Sequence, residues 1–333
     1  MASLRKRLGS RRPLADVFSR HTQAGTRLEP LVRLAYVLLA YWYVSRLAEL
    51  RPLLDPPSPT LRWPVAWMVW VDPGVGGSVV LALGLGGALL AATLPERRGL
   101  RALAFLGLLE VLALKYSFGK IHHAMHGWLF LSFLLIFLPE PRSGWAAGRA
   151  RKDRQQALFV WSAAQVALAL TYSLAGLGKL VGTVYQGLRG QPTPLHPSAL
   201  ARHMADRLQQ TDADSLLGPW MIEYGNWLWP LMLGTVYLQL FALQAAFRPR
   251  LHRWWGMGLI AFHVVSILTL TIDFNPNILL LGLLFVASPM APPVDPKGIW
   301  ADLPILGAFA PQSKERRASS ILARNRNSKA SRA

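Results

Sequence analysis

Lys179 is the residue whose type and position most invite chemistry. It lies in Leu174-Ala175-Gly176-Leu177-Gly178-Lys179-Leu180, near the end of an apolar run from Ala157 to Val181. A charge beside lipid costs about 2.5–3.5 kcal/mol at a helix centre on insertion scales, so an ionisable group there needs a reason. Chemistry is one, because a Lys desolvated in an apolar pocket loses basicity and becomes a usable general base near neutral pH. The bland alternative is that a Lys near a helix end snorkels its ammonium to the headgroups. The segment alone leaves both open.

The other polar residues sort more easily. His122 and His126 have the i,i+4 spacing of helical metal ligands. Two ligands do not make a site, and no metal is predicted. His263 sits near the middle of an apolar stretch, where a core histidine hydrogen-bonded to another helix is the simpler reading than a ligand. Arg46 with Glu49, and Glu110 with Lys115, read as structural ion pairs or interfacial anchors. Gly84-Leu85-Gly86-Gly87 is expected to let helices approach closely. The chain has no Walker-type glycine loop, no Ser/His/Asp arrangement and no paired carboxylates in an apolar run, so phosphoryl transfer and ordinary hydrolysis lack support. It also has no Cys, which removes disulfides, thiolate metal sites and a cysteine nucleophile.

The elements that must position these residues are membrane helices. Of 333 residues, 52% are hydrophobic and 16% charged, 13 are Trp, and mean hydropathy is positive. Windows of about 19 residues predict an all-α bundle of eight spans. They lie near Leu31–Ala48, Ser78–Leu94, Leu100–Phe118, His123–Leu138, Ala157–Val181, Asn226–Phe247, Trp254–Ile272 and Asn277–Met290. Most of the 36 Lys and Arg fall in alternate connections, among them Glu96-Arg97-Arg98, Arg149 to Arg154 and Arg248 to Arg253. That positive-inside pattern puts both termini in the cytoplasm and accounts for the net charge of +19 without nucleic acid.

Three regions follow: a basic segment 1–30, a membrane domain 31–293, and a basic tail 294–333 expected to be disordered, Ser-rich from about Lys314. The first 28 residues lack the apolar core of a cleavable signal, so the first span is expected to stay in the mature protein. In this orientation His122, His123, His126, Lys179, His196, His203 and Asp273 fall on the outer side, around an outward-opening pocket. His21 and His252 fall in cytoplasmic segments. A short helix, Ser198–Gln210, is expected in the long outer loop 182–225.

Four segments, in order, carry a family resemblance. Ala175-Gly176-Leu177-Gly178-Lys179-Leu180 resembles the Ala-Gly-x-x-Lys-Leu motif of the vitamin K-dependent gamma-carboxylase family and its bacterial relatives, the HTTM proteins. His126-Gly127-Trp128-Leu129-Phe130 is similar to the family's His-x-Tyr-Leu segment, and Ala201-Arg202-His203 to its Ser-Arg-His. Phe262-His263, followed by Phe274, is similar to its Phe-His helix. The resemblance spans roughly Arg33 to Pro293.

It implies a multi-pass protein, here of a bacterial plasma membrane, in contact with membrane lipids. Lys179 would deprotonate a reduced naphthoquinone of menaquinone or vitamin K type. In the carboxylase the quinol then reacts with oxygen to give a strong base that takes a proton from the substrate. The carbanion captures carbon dioxide, and the quinone leaves as an epoxide. By the same resemblance His126 would hydrogen-bond or relay protons beside Lys179, and His263 would be a buried polar partner.

The chain departs from the family pattern at Met125, where the family has Asn, and at Gly178, where the carboxylase has a second Lys. Gln239 stands where relatives often carry an acidic residue. Only about 40 residues follow the last span, so carboxylation of a docked propeptide is not expected. Three hypotheses stand: a quinone-linked enzyme, a non-catalytic scaffold or transport partner, and a small-solute transporter. The last would favour internal repeats and helices broken by Gly or Pro, and no clear pair of these is present.

Overall fold

The computed structural model describes residues 24–50, 60–61, 63–119, 123–140, 151–212, 214–292 and 296–309. Among them every regular element is helical. The principal helices are α1 (Ala24–Ser45), α2 (Pro73–Thr93), α3 (Arg98–Tyr116), α4 (His126–Leu135), α5 (Arg151–Leu188) and α6 (Ala199–Thr211). They continue with α7 (Trp229–Leu240), α8 (Ala242–Ala246), α9 (His252–Leu270), α10 (Asn275–Leu281) and α11 (Pro296–Asp302). α6 is the short helix expected over Ser198–Gln210.

Three helical stretches are long and apolar enough to cross a membrane: Gly74–Thr93, Lys152–Leu188 and Pro249–Leu270. Two more, His123–Leu135 and Asn275–Val286, are apolar but shorter. All eight expected segments contain helix, yet five miss the length and hydropathy of a span for visible reasons. α1 carries Arg27, Glu29 and Arg33 in its first turns, and α3 carries Arg98, Arg101, Glu110 and Lys115. α4 has 10 residues, α7 ends after 12, and α10 gives way after 7 to a π-helical turn, Gly282–Val286. Large apolar side chains such as Phe159, Leu174, Val181, Val184 and Val265 nevertheless face outward. A water-solvated domain rarely presents so much apolar surface.

The close approaches depend on glycine. A methyl on Gly107 would lie 2.5 Å from the backbone of Gly84, and one on Gly87 would lie 2.9 Å from that of Ala104. The Gly84-Leu85-Gly86-Gly87 stretch thus brings α2 and α3 together as expected. Helix ends are closed by arginines. Arg33 donates to Thr93 O (2.6 Å) and Ala92 O (3.2 Å) at the end of α2. The fully buried Arg101 donates to Pro95 O (2.5 Å) and to Leu138 O (2.6 Å) beyond α4. Each satisfies carbonyls that a helix end leaves over.

Arg46 pairs with Asp273, which ties the end of α1 to the connection between α9 and α10, while the side chain of Glu49, its expected partner, lies outside the described residues. The tail expected to be disordered is partly built into the fold: α11 and a 3-10 turn, Leu306–Phe309, follow the bundle, and Tyr237 Oη donates to Pro304 O (2.7 Å). The rest of the tail, the first 23 residues, Arg149 and His122 lie outside the described residues. Glu110 accepts a hydrogen bond from Trp67 Nε1 (3.0 Å).

Candidate functional site

α5 is the long central helix, packing against α1, α4, α7 and α8. Gln165, Tyr172 and Lys179 stand on it seven residues apart. Seven residues turn an α-helix almost twice, so the three share one face at intervals of about 10.5 Å. Each makes a different interhelical connection.

The first node is fully buried. Gln165 Nε2 donates to Leu284 O (2.5 Å), a carbonyl of the π-helical turn, and lies 3.1 Å from Ser288 Oγ. His252 Nε2 donates to Ala246 O (2.9 Å), so Nδ1 accepts, and Ser288 Oγ lies 2.9 Å from it. His252 is therefore a core residue with both ring nitrogens engaged. Its neighbourhood satisfies an irregular backbone, as buried polar backbone groups require.

The second node joins α5 to α9. Tyr172 Oη lies 2.6 Å from His263 Nε2, and His263 is 3% exposed. Phe274 stacks at 4.6 Å between ring centroids, with Phe262 at 5.0 Å on another side. The other ring nitrogen, Nδ1, is buried without a partner among the described residues.

The third node is Lys179. Its Nζ donates to Gln239 Oε1 at 2.8 Å, and Gln239 is buried in α7. The contact is built by the residues before it. Ser173 Oγ accepts from Leu243 N (2.9 Å) and donates to Gln239 O (3.3 Å). In an unbroken helix that N–H would bond that carbonyl, four residues back. The Ser173 hydroxyl has entered this bond, and the helix parts into α7 and α8 at Phe241. Gly176 permits the approach, since a methyl there would lie 2.6 Å from Leu240 N. Trp255 Nε1 donates to Leu238 O (2.9 Å) from α9, and Tyr237 reaches Pro304, so the turn carrying Gln239 is held from three sides.

His126 lies elsewhere. Its ring meets His123, with Nδ1 atoms 3.2 Å apart, and Tyr116 edge-on at 5.8 Å. Among the described residues no hydrogen bond or ring contact joins any two of Lys179, His126 and His263. His196 Nδ1 is 2.8 Å from Ser198 Oγ at the start of α6, and His203 is exposed on that helix. No group of three His, Asp or Glu side chains is arranged as metal ligands among the described residues.

Sequence reasoning missed Tyr172 as the partner of His263 and Gln239 as the partner of Lys179. The seven-residue spacing of Gln165, Tyr172 and Lys179 was the available signal. No known protein family, curated protein or solved structure matches this chain.

Proposed function

We propose that this chain is an eight-span membrane enzyme with both termini cytoplasmic, of the carboxylase-like type, in which Lys179 is the general base toward a reduced naphthoquinone. The observation that carries the reading is the partner of Lys179. A half-buried amine on a membrane-length helix meets a neutral amide, Gln239, and an amide oxygen accepts from an ammonium and from an amine alike. A base must pass through both states.

The residues present fit a quinol. Exposed Leu177 and Val181 flank Lys179 with apolar surface, and His263 Nδ1 is a buried ring nitrogen with hydrogen-bonding capacity to spare. When bound, the reduced quinone supplies the reducing equivalents for oxygen chemistry. Lys179 takes the proton and Gln239 orients the amine. The Tyr172–His263 pair gives a second polar point on the same face of α5.

One observation favours a second reading, a non-catalytic scaffold or transport partner. Ser173, Gly176 and Lys179 together clasp the α7–α8 break, and interhelical hydrogen bonds in membranes contribute about 0.6 kcal/mol on average. A clasp needs no chemistry. The test is oxygen consumption by purified protein in nanodiscs with reduced menaquinone. Under the enzyme reading Lys179→Ala and Lys179→Arg each lower turnover by about 10²–10⁴-fold, the usual weight of general-base catalysis. Wild-type turnover that survives in Lys179→Arg, or no turnover in folded wild type, selects the scaffold.

A further inference from the structure

The segment that follows the bundle, α11 and the turn Leu306–Phe309, is fastened on one side and bare on the other. Ile299 and Leu303 pack against the core, and Pro304 is buried with its carbonyl held by Tyr237 Oη (2.7 Å). Arg248 donates to Asp302 O, and Arg250 pairs with the Asp302 carboxylate at 3.6 Å. Both contacts tie α11 to the connection between α8 and α9. The residues between these fastenings are apolar and exposed: Trp300, Ile305, Leu306 and Phe309, the last to 81%.

The backbone bends unfavourably to present them. Ile305 has φ 59°, in the left-handed region that a β-branched side chain rarely enters. Gly307 permits the turn, since a methyl there would lie 2.5 Å from Ala301 O. Ile305 is 62% exposed, so its side chain gains little packing inside the protein to offset the strain. Strain at such an exposed position is a sign of use outside the fold.

The sequence that follows says what the contact is. Residues 310–333 carry seven Lys or Arg and one Glu. Exposed Trp, Phe and Leu beside a basic stretch suit an anionic bilayer surface. There apolar side chains enter the head-group boundary and cations meet lipid phosphates. A second copy of this chain is less suited, because two such basic stretches repel each other.

We infer that 296–309 is a surface anchor that seats Trp300, Ile305, Leu306 and Phe309 in an anionic lipid leaflet, with the basic residues from Lys314 onward on its phosphates. The inference rests on the membrane reading, in which this end of the chain is cytoplasmic, and is independent of the quinone reading.

The absence of Cys allows a single fluorophore to be placed as the test. Ala308→Cys, exposed in the turn, is labelled in full-length protein and put into nanodiscs of phosphatidylglycerol or of phosphatidylcholine, each doped with spin-labelled quencher lipid. Phe159→Cys, exposed on α5, is the reference for a residue facing the bilayer. The probe at 308 is expected to be quenched in phosphatidylglycerol and several-fold less in phosphatidylcholine. Replacing Lys314, Arg316 and Arg317 by Gln lowers the first value toward the second. Ile305→Asn with Leu306→Gln removes apolar contact and loses the quenching, while Asn tolerates the left-handed turn better than Ile does. Equal quenching in the two lipids, or full quenching that survives Ile305→Asn with Leu306→Gln, overturns the inference. So does a probe at 308 left unquenched in phosphatidylglycerol while the one at 159 is quenched. Loss of quenching at both positions overturns the membrane reading with it.

Discussion

Tyr172 matters to His263 more than the strength of one hydrogen bond suggests, because the imidazole is buried and its other nitrogen has no partner. Tyr172→Phe leaves both nitrogens unmatched, which costs about 1–3 kcal/mol. Replacing both residues, Tyr172→Phe with His263→Phe, removes the polar demand altogether and is expected to be less destabilising than the single change. Thermal unfolding in detergent measures both, and a double variant no better than the single one refutes the account. Lys179 was legible in the sequence because a charge in an apolar run stands out. Tyr172 and Gln165 were not, since a Tyr or Gln in such a run is unremarked until its partner is known. Gln239 was noticed as a departure from the family pattern, but only the fold brings it to Lys179.

At the scale of the helix, two glycines of one short motif behave differently. A methyl on Gly176 would overlap the backbone of Leu240, whereas one on Gly178 meets nothing within 4 Å. Gly176→Ala is therefore expected to destabilise by about 1–3 kcal/mol, the cost of overpacking. Gly178→Ala should leave the melting temperature unchanged or slightly raised, because Ala favours helix. Equal effects in the two variants would show that α5 does not meet α7 at Gly176. Hydropathy located the helical segments correctly, since apolar runs between polar connections need little context. It did not reveal the parting at Phe241. Neither Gly nor Pro marks that break: its cause is Ser173, on another helix, and no local pattern encodes a side chain arriving from elsewhere. Arg101 escaped for a similar reason, because it reads as part of a basic connection and becomes a buried clamp only when α4 ends beside it.

For the whole molecule, orientation is the testable property, and the absence of Cys makes the test clean. In the eight-span arrangement, His203→Cys reacts with a membrane-impermeant thiol reagent on intact cells. Glu96→Cys and Arg250→Cys react only after the membrane is opened. Labelling of Glu96→Cys on intact cells would require a different topology. The Ser173 hydroxyl has a wider consequence for how such a bundle moves. Leu243 N–H and Gln239 C=O are satisfied through the hydroxyl when the helix is parted, and would satisfy each other directly if it straightened. The backbone loses no hydrogen bond in either arrangement, so the two differ mainly in packing. Straightening of the joint would then cost the backbone little. Gln239 lies at that joint, so a tilt of α5 that withdraws Ser173 also redirects the partner of Lys179.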